Sequence, residues 1–172
     1  MPRILVTPLS ALEDAIRVHR PSHIVTLLSP DHMIETPAGF PAERHLRLGV
    51  NDVVEASAGD APPERAHIED LLAFSRSWPA EDPMIVHCWA GISRSMAATY
   101  IILCDRLGRG SEIYAAKAIR SRAAHAYPNA LLVRHADDLL GRQGRMVEAI
   151  KAIGAGKMVA EGDVVEFPLV GL

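Results

Sequence analysis

The chain is expected to fold as an α/β protein, with a central, mainly parallel sheet of about four to five strands flanked by helices. Three observations predict this class. Short runs rich in branched apolar residues, Ile4-Leu5-Val6, Ile24-Val25-Thr26-Leu27-Leu28 and Met84-Ile85-Val86, have strand length and read as buried strands. Segments with a helical apolar period lie between and after them. At 172 residues the chain is long enough to bury a core as one domain, 1–172, without disulfides or metals.

The elements follow in order. After the first strand, Ser10-Ala11-Leu12-Glu13 has capping-box spacing and predicts a helix through about Val18, ended by Pro21. Ser29-Pro30-Asp31 closes the second strand. A turn-rich segment from Thr36 to Pro41 leads to His45-Leu46-Arg47-Leu48, whose alternation predicts a third, half-buried strand. Gly49 to Pro63 loses periodicity and gathers Asn, Asp, Ser, Gly and Pro, the composition of a surface loop able to carry a functional group. Pro62-Pro63-Glu64 opens a helix with Ile68, Leu71, Leu72 and Phe74 on one face, ending near Trp78-Pro79. Met84 to Cys88 is the fourth strand, and Arg94 to Leu107 a helix stopped by Gly108. Further helices are predicted over 111–122, 129–140 and 145–153, and a strand over 164–167. The tail 141–172 carries no readable motif.

Composition excludes several classes. A net charge of −3 gives no global pull toward nucleic acid or an acidic membrane surface, so any anion site must be local. Aromatic residues make up 5% of the chain, too few for a platform that stacks single-stranded bases. No apolar run reaches signal-peptide or membrane-span length, and two cysteines, Cys88 and Cys104, do not make a disulfide framework or a zinc or thioredoxin motif. The expected setting is the cytoplasm, with no nucleic-acid or membrane partner.

The informative stretch is His87-Cys88-Trp89-Ala90-Gly91-Ile92-Ser93-Arg94-Ser95, where a buried strand gives way to a helix. Ligands of open α/β sheets sit beyond the carboxyl ends of strands, where the next helix offers unpaired N–H groups and its positive pole. Five residues between Cys88 and Arg94 suffice to curl the backbone around an anion, and Gly91 permits the curvature. N–H dipoles, the helix N-terminus and the Arg94 guanidinium all favour the thiolate, the form of Cys88 that is nucleophilic. The planar fork of Arg94 matches two phosphoryl oxygens, and it holds them harder as negative charge spreads in the transition state. Helix N-termini ordinarily disfavour a cation unless an anion sits there, which argues against a plain surface role for Arg94.

This stretch resembles the signature of cysteine-based protein-tyrosine and dual-specificity phosphatases: His-Cys, five residues, then Arg-Ser or Arg-Thr. Pro128-Asn129 extends the resemblance, which spans about Leu46 to Leu140. It implies a protein-tyrosine-phosphatase-like fold and a phosphomonoester hydrolase that forms a phosphocysteine at Cys88, without metal or organic cofactor. It further implies that His87 orients the loop, that Ser95 hydrogen-bonds the sulfur, and that Trp89, Ala90, Gly91, Ile92 and Ser93 bind phosphate with Arg94. The substrate it implies is a phosphorylated protein or peptide, bearing phosphotyrosine or, in a dual-specificity enzyme, phosphoserine and phosphothreonine as well.

The family also places a general acid, an Asp, on a loop upstream of the signature. Asp52 follows the third strand and precedes a helix, the order that the family requires; Asp60 shares the loop and stays open as the alternative. Asp70 reads as a solvated helix residue, and Asp82 lies before the fourth strand, at its wrong end. Cys104 reads as core, on the order of 20 Å along the helix from Cys88 and beyond disulfide reach. Trp89 is either a packing residue or part of the pocket rim, and Lys117, Arg120 and Arg122 read as a solvated helix face. The competing functions are a phosphoinositide or inositol phosphatase, whose signature loops often carry lysines absent here, a rhodanese-like sulfurtransferase, and a phosphate-binding module without catalysis.

Overall fold

The computed structural model describes residues 2–169. Five strands form one sheet in the order β3-β2-β4-β1-β5, where β1 is Arg3–Pro8, β2 His23–Leu28, β3 His45–Gly49, β4 Met84–Cys88 and β5 Val165–Pro168. Pairing is parallel throughout except for β5, which runs antiparallel along β1 with Ile4 opposite Phe167. The predicted α/β class therefore holds, with its one antiparallel strand at an edge.

Period-two alternation distributes the central strands between two apolar layers. Leu5, Ile24 and Ile85 face α1 (Leu12–His19), where they pack with Leu12 and Ala15. Ile4, Val6, Val25, Leu27, Met84 and Val86 belong to the larger core. That core is roofed by α2 (Arg65–Ser77), α3 (Arg94–Leu107), α4 (Glu112–Arg122), α5 (Ala130–Leu139) and α6 (Arg145–Ala152). The helix α3 is buried continuously from Arg94 to Cys104, so both its flanks are covered by other helices. This explains why its apolar stripe is wide rather than sharp.

Two sequence expectations fail locally. Ser10 does not cap a helix: Pro8 leads into a tight 3-10 turn over Leu9–Ala11, so α1 starts at Leu12, and the Ser10 hydroxyl instead donates to Glu161 Oε1 at 2.6 Å. Arg120 is not part of a solvated face. Its guanidinium donates to the carbonyls of Ala123, Ala124, Ala126, Ile153 and Gly154, tying the end of α4 to the chain leaving α6. A long side chain with five donors can gather carbonyls from several segments at once, and one-dimensional charge counting cannot see this.

The opening of α2 is a capping box of an unusual kind, in which Glu64 caps the His67 N–H and His67 Nδ1 accepts from the Glu64 N–H at 3.0 Å. Gly108, at φ +83°, ends α3 by donating to Cys104 O. The α4–α6 region is fixed by a buried ion pair, Arg142 Nη1 to Glu112 Oε1 at 2.8 Å, with Arg142 also donating to the carbonyls of Gly108 and Cys104. Asp137 caps α6 through the N–H groups of Gly144 and Met146. Among the described residues, no helix is long and apolar enough to cross a membrane.

Candidate active site

Because β1, β2, β3 and β4 run parallel, their carboxyl ends open on one side of the sheet, and four loops meet there. The loop after β4 is central, since β4 lies between β1 and β2. Residues Trp89 to Ser93 carry the chain from the strand end at Cys88 to the first residue of α3, Arg94. Gly91 takes φ +69°, a left-handed conformation that side chains disfavour. A Cβ there would also stand 2.9 Å from Pro8 N and 3.0 Å from Thr7 C, so the loop closes against the end of β1 only with glycine.

Among the carbonyls of this loop held from outside are those of Trp89, Ile92 and Ser93. Leu9 N–H donates to Trp89 O at 3.1 Å, Tyr127 N–H to Ile92 O at 2.9 Å and Asn129 N–H to Ser93 O at 3.2 Å. The described peptide bonds are all trans, so the N–H of each peptide points opposite to its carbonyl. Carbonyls held outward therefore turn the N–H groups of Ala90, Ser93 and Arg94 inward, into a concave nest.

Cys88 sits at the floor of that nest, 2% exposed, with Sγ 3.1 Å from Ser95 Oγ. Arg94 is 7% exposed; its Nη1 donates to Val50 O at 2.8 Å, while its Nε is buried without a protein partner. A guanidinium anchored at one nitrogen and open at another is positioned to receive an anion. The Trp89 ring stands at the rim, 54% exposed and edge-on to His32 with 5.5 Å between ring centroids. Together with Leu28, Ser29 and Arg94, these two rings line a cleft of about 170 Å³.

His87 lies on β4 with its ring fully buried. Its Nε2 is 2.6 Å from Thr26 Oγ1, which is also 2.8 Å from His45 Nε2, and His45 Nδ1 reaches Thr36 Oγ1 at 3.0 Å. One hydroxyl between two imidazoles donates to one ring and accepts from the other, which suits two neutral rings. Burial pushes both His87 and His45 down to about 4, from an ordinary value near 6.5.

Asp52, on the loop after β3, is brought to the nest. Its Oδ1 accepts from Ser93 Oγ and from Asn129 Nδ2, each at 2.8 Å. Asp60, Asp70 and Asp82 are not brought there. The backbone carbonyl of Asp60 accepts from Asn51 Nδ2, Asp70 lies exposed on α2, and the Asp82 carbonyl accepts from Trp78 Nε1 before β4 begins. Cys104 is buried in the core, its thiol pushed up to about 12 chiefly by burial, and both cysteines are free.

The residue that sequence reasoning left without a role is Asn129. Its Oδ1 caps α5 by accepting from Leu131 and Leu132 N–H, its Nδ2 donates to Asp52 and to Val53 O at 3.1 Å, and its backbone N–H holds Ser93 O. One residue thus joins a helix start, the Asp52 loop and the loop between Cys88 and Arg94. The Pro128-Asn129 pair was the only signal, and it marks the helix cap but not the second contact.

No protein-family model matches the chain, and no curated protein matches it in sequence. Solved structures do match in fold. DUSP15 aligns with a TM-score of 0.58 at 18% identity, over 88% of this chain and 92% of that one. PTPMT1 aligns with a TM-score of 0.56 at 18% identity, over 83% and 94%, and has also been solved in complex with PI(5)P. The PTP-2 phosphatase of Cydia pomonella aligns with a TM-score of 0.54 at 16% identity, over 94% and 92%. The chain has the fold of these three proteins.

Proposed function

We propose that this chain is a cysteine-dependent phosphatase that hydrolyses phosphomonoesters of proteins, phosphotyrosine first and phosphoserine or phosphothreonine with it. The observation that carries the reading is the buried Cys88 thiol beneath outward-held carbonyls, with a buried Arg94 Nε open beside it and Asp52 bonded to the same loop. The fold shared with DUSP15, PTPMT1 and PTP-2 supports it.

In this reading the Cys88 thiolate attacks phosphorus while the P–O bond to the leaving group breaks and its electron pair passes to that oxygen. Asp52 supplies the proton. Both recorded bonds to Asp52 fall on Oδ1, which leaves Oδ2 for the substrate oxygen. Arg94 and the loop N–H groups hold the three equatorial oxygens as charge spreads over them. Water then attacks the phosphocysteine, Asp52 takes its proton, and Ser95 Oγ–H stabilises the departing thiolate. His87 keeps the strand end in register through Thr26.

A second reading, an inositol-lipid phosphatase, is favoured by one feature. A groove of about 390 Å³ beside Ser93 and Asn129 is lined by Val54 and Tyr127 and carries Arg134 and Lys151. Both cations already face carboxylates, Arg134 with Glu55 at 3.6 Å and Lys151 with Glu148 at 2.9 Å, so neither offers a free charge to a second phosphate. The peptide reading stands ahead for that reason.

The test is single-turnover and steady-state hydrolysis of p-nitrophenyl phosphate, a phosphotyrosine peptide and PI(5)P vesicles, without added metal. The expected outcome is a burst abolished by Cys88→Ser. Asp52→Ala should slow the peptide by on the order of a hundredfold, with Asp60→Ala near wild type. Faster turnover on the vesicles than on the peptide would install the lipid reading. Binding of phosphate analogues without turnover by wild type would replace both with a phosphate-binding module.

A further inference from the structure

We propose that the segment 154–164, between α6 and β5, is a strap that completes the phosphate loop, and that Gly162 within it is a positioning residue for the reaction. The inference rests on the phosphatase reading for its catalytic consequence, but not for its structural one.

Leu9 and the Tyr127–Asn129 segment hold the carbonyls of Trp89, Ile92 and Ser93, which leaves those of Gly91 and, at the loop's apex, Ala90. Its partner comes from the far end of the chain: Gly162 N–H donates to Ala90 O at 2.8 Å. The same peptide carries the Gly91 N–H, so this bond turns that N–H toward Cys88. Without the strap, the carbonyl of half-buried Ala90 would lose its donor, and with it a hydrogen bond that holds the apex of the loop from outside.

The strap is fitted to this task along its length. Lys157 N–H donates to Ala124 O at 2.7 Å, and Arg120 Nη2 donates to Gly154 O at 2.9 Å. Glu161 accepts from Ser10 beside Leu9, the donor to the neighbouring carbonyl. Two glycines permit the approach. A Cβ at Gly156 would collide with the carbonyls of His125 and Ala126, and one at Gly162 would collide with the His125 ring while pressing on Gly91 O at 3.1 Å. Gly162 is itself buried, whereas Met158 in the same strap is 96% exposed. His125 is 8% exposed and its Nε2 has no hydrogen-bond partner, so the ring is a wedge that sets how close the strap lies. Small displacements of a loop that holds both nucleophile and phosphate are costly to rate.

The test compares wild type, Gly162→Ala, Gly162→Ala with His125→Ala, and Met158→Ala as the solvent-facing control. Alkylation of Cys88 by iodoacetate at about pH 6 reads thiolate presentation without any substrate, and Cys104 stays silent because it is fully buried, which also pushes its thiol up to about 12. Gly162→Ala should slow alkylation, and lower kcat/KM on p-nitrophenyl phosphate, by on the order of tenfold or more, with a cooperative thermal transition retained. Removing the His125 ring should restore most of both, and Met158→Ala should match wild type. Wild-type alkylation and turnover in Gly162→Ala would overturn the proposal, as would failure of the His125 substitution to rescue. Should Gly162→Ala not fold, amide exchange in wild type decides: orthovanadate bound in the loop should slow exchange at Gly162 N–H, and unchanged exchange overturns the strap. If wild type turns over no phosphomonoester, the phosphatase reading fails, and the alkylation and exchange arms still judge the strap.

Discussion

Asn129 shows how much one side chain can carry. Its carbonyl oxygen stabilises the start of α5, and its amide fixes Asp52 and Val53 on the opposite loop. Asn129→Ala therefore has two separable consequences. Loss of the cap should cost about 1 kcal/mol of stability, read by urea denaturation. Release of Asp52 should lower kcat on a phosphotyrosine peptide by on the order of tenfold, and much less on p-nitrophenyl phosphate, whose leaving group scarcely needs the proton. Equal losses on both substrates would mean that Asn129 acts through the phosphate loop and not through the acid. The sequence singled out Cys88, Arg94 and the Asp52 loop as candidates because residue type, spacing and order in the chain are local, and the structure brings the three together. It did not reveal Asn129 as a positioner, because a residue 77 positions from Asp52 meets it only through the fold.

At the scale of elements, helix and strand limits followed the sequence where local chemistry decides them. β4 and α3 begin and end where the apolar run, Arg94 and Gly108 place them. Of the exceptions, one was local, a 3-10 turn after Pro8 that shifted α1, and one tertiary, Arg120 drawn to carbonyls from two other segments. The α4–α6 region depends on a buried charge pair, and this sets a prediction. Burial pushes the Glu112 carboxyl up, but the Arg142 hydrogen bond and the backbone N–H groups of Glu112 and Gly110 outweigh it, so the group stays ionised below the usual carboxylate range. Glu112→Ala leaves Arg142 charged and buried against carbonyls alone. The expected loss is about 3 kcal/mol, seen as a lower urea midpoint at unchanged slope. A loss under about 0.5 kcal/mol would show that the carbonyls suffice.

Across the whole molecule, the central strands are joined by a polar thread, His87–Thr26–His45–Thr36, running inside an apolar sheet. Both rings are neutral in the fold, with folded values near 4, whereas in the unfolded chain they return to about 6.5. Between those values the unfolded chain binds protons that the fold refuses. The stability they contribute is thus complete above about pH 6.5, falls as the pH drops through that value, and stops falling near pH 4. The pair should account for on the order of a few kcal/mol, measured as a falling urea midpoint from pH 7 to 5. A His45→Gln, His87→Gln double variant should flatten the slope over this range; an unchanged slope would assign the effect to other groups.

The sequence by itself determined the fold class and the strand and helix that flank the Cys88-to-Arg94 loop, because periodicity, turn residues and the Cys-to-Arg spacing are local properties of the chain. Only the tertiary structure decided which Asp reaches that loop, that Asn129 holds it, and that a tail without motif returns to Ala90. These are hydrogen bonds between backbone and side-chain groups far apart in sequence. Every non-proline residue carries the same backbone donor and acceptor, so nothing in residue type announces which of them will meet.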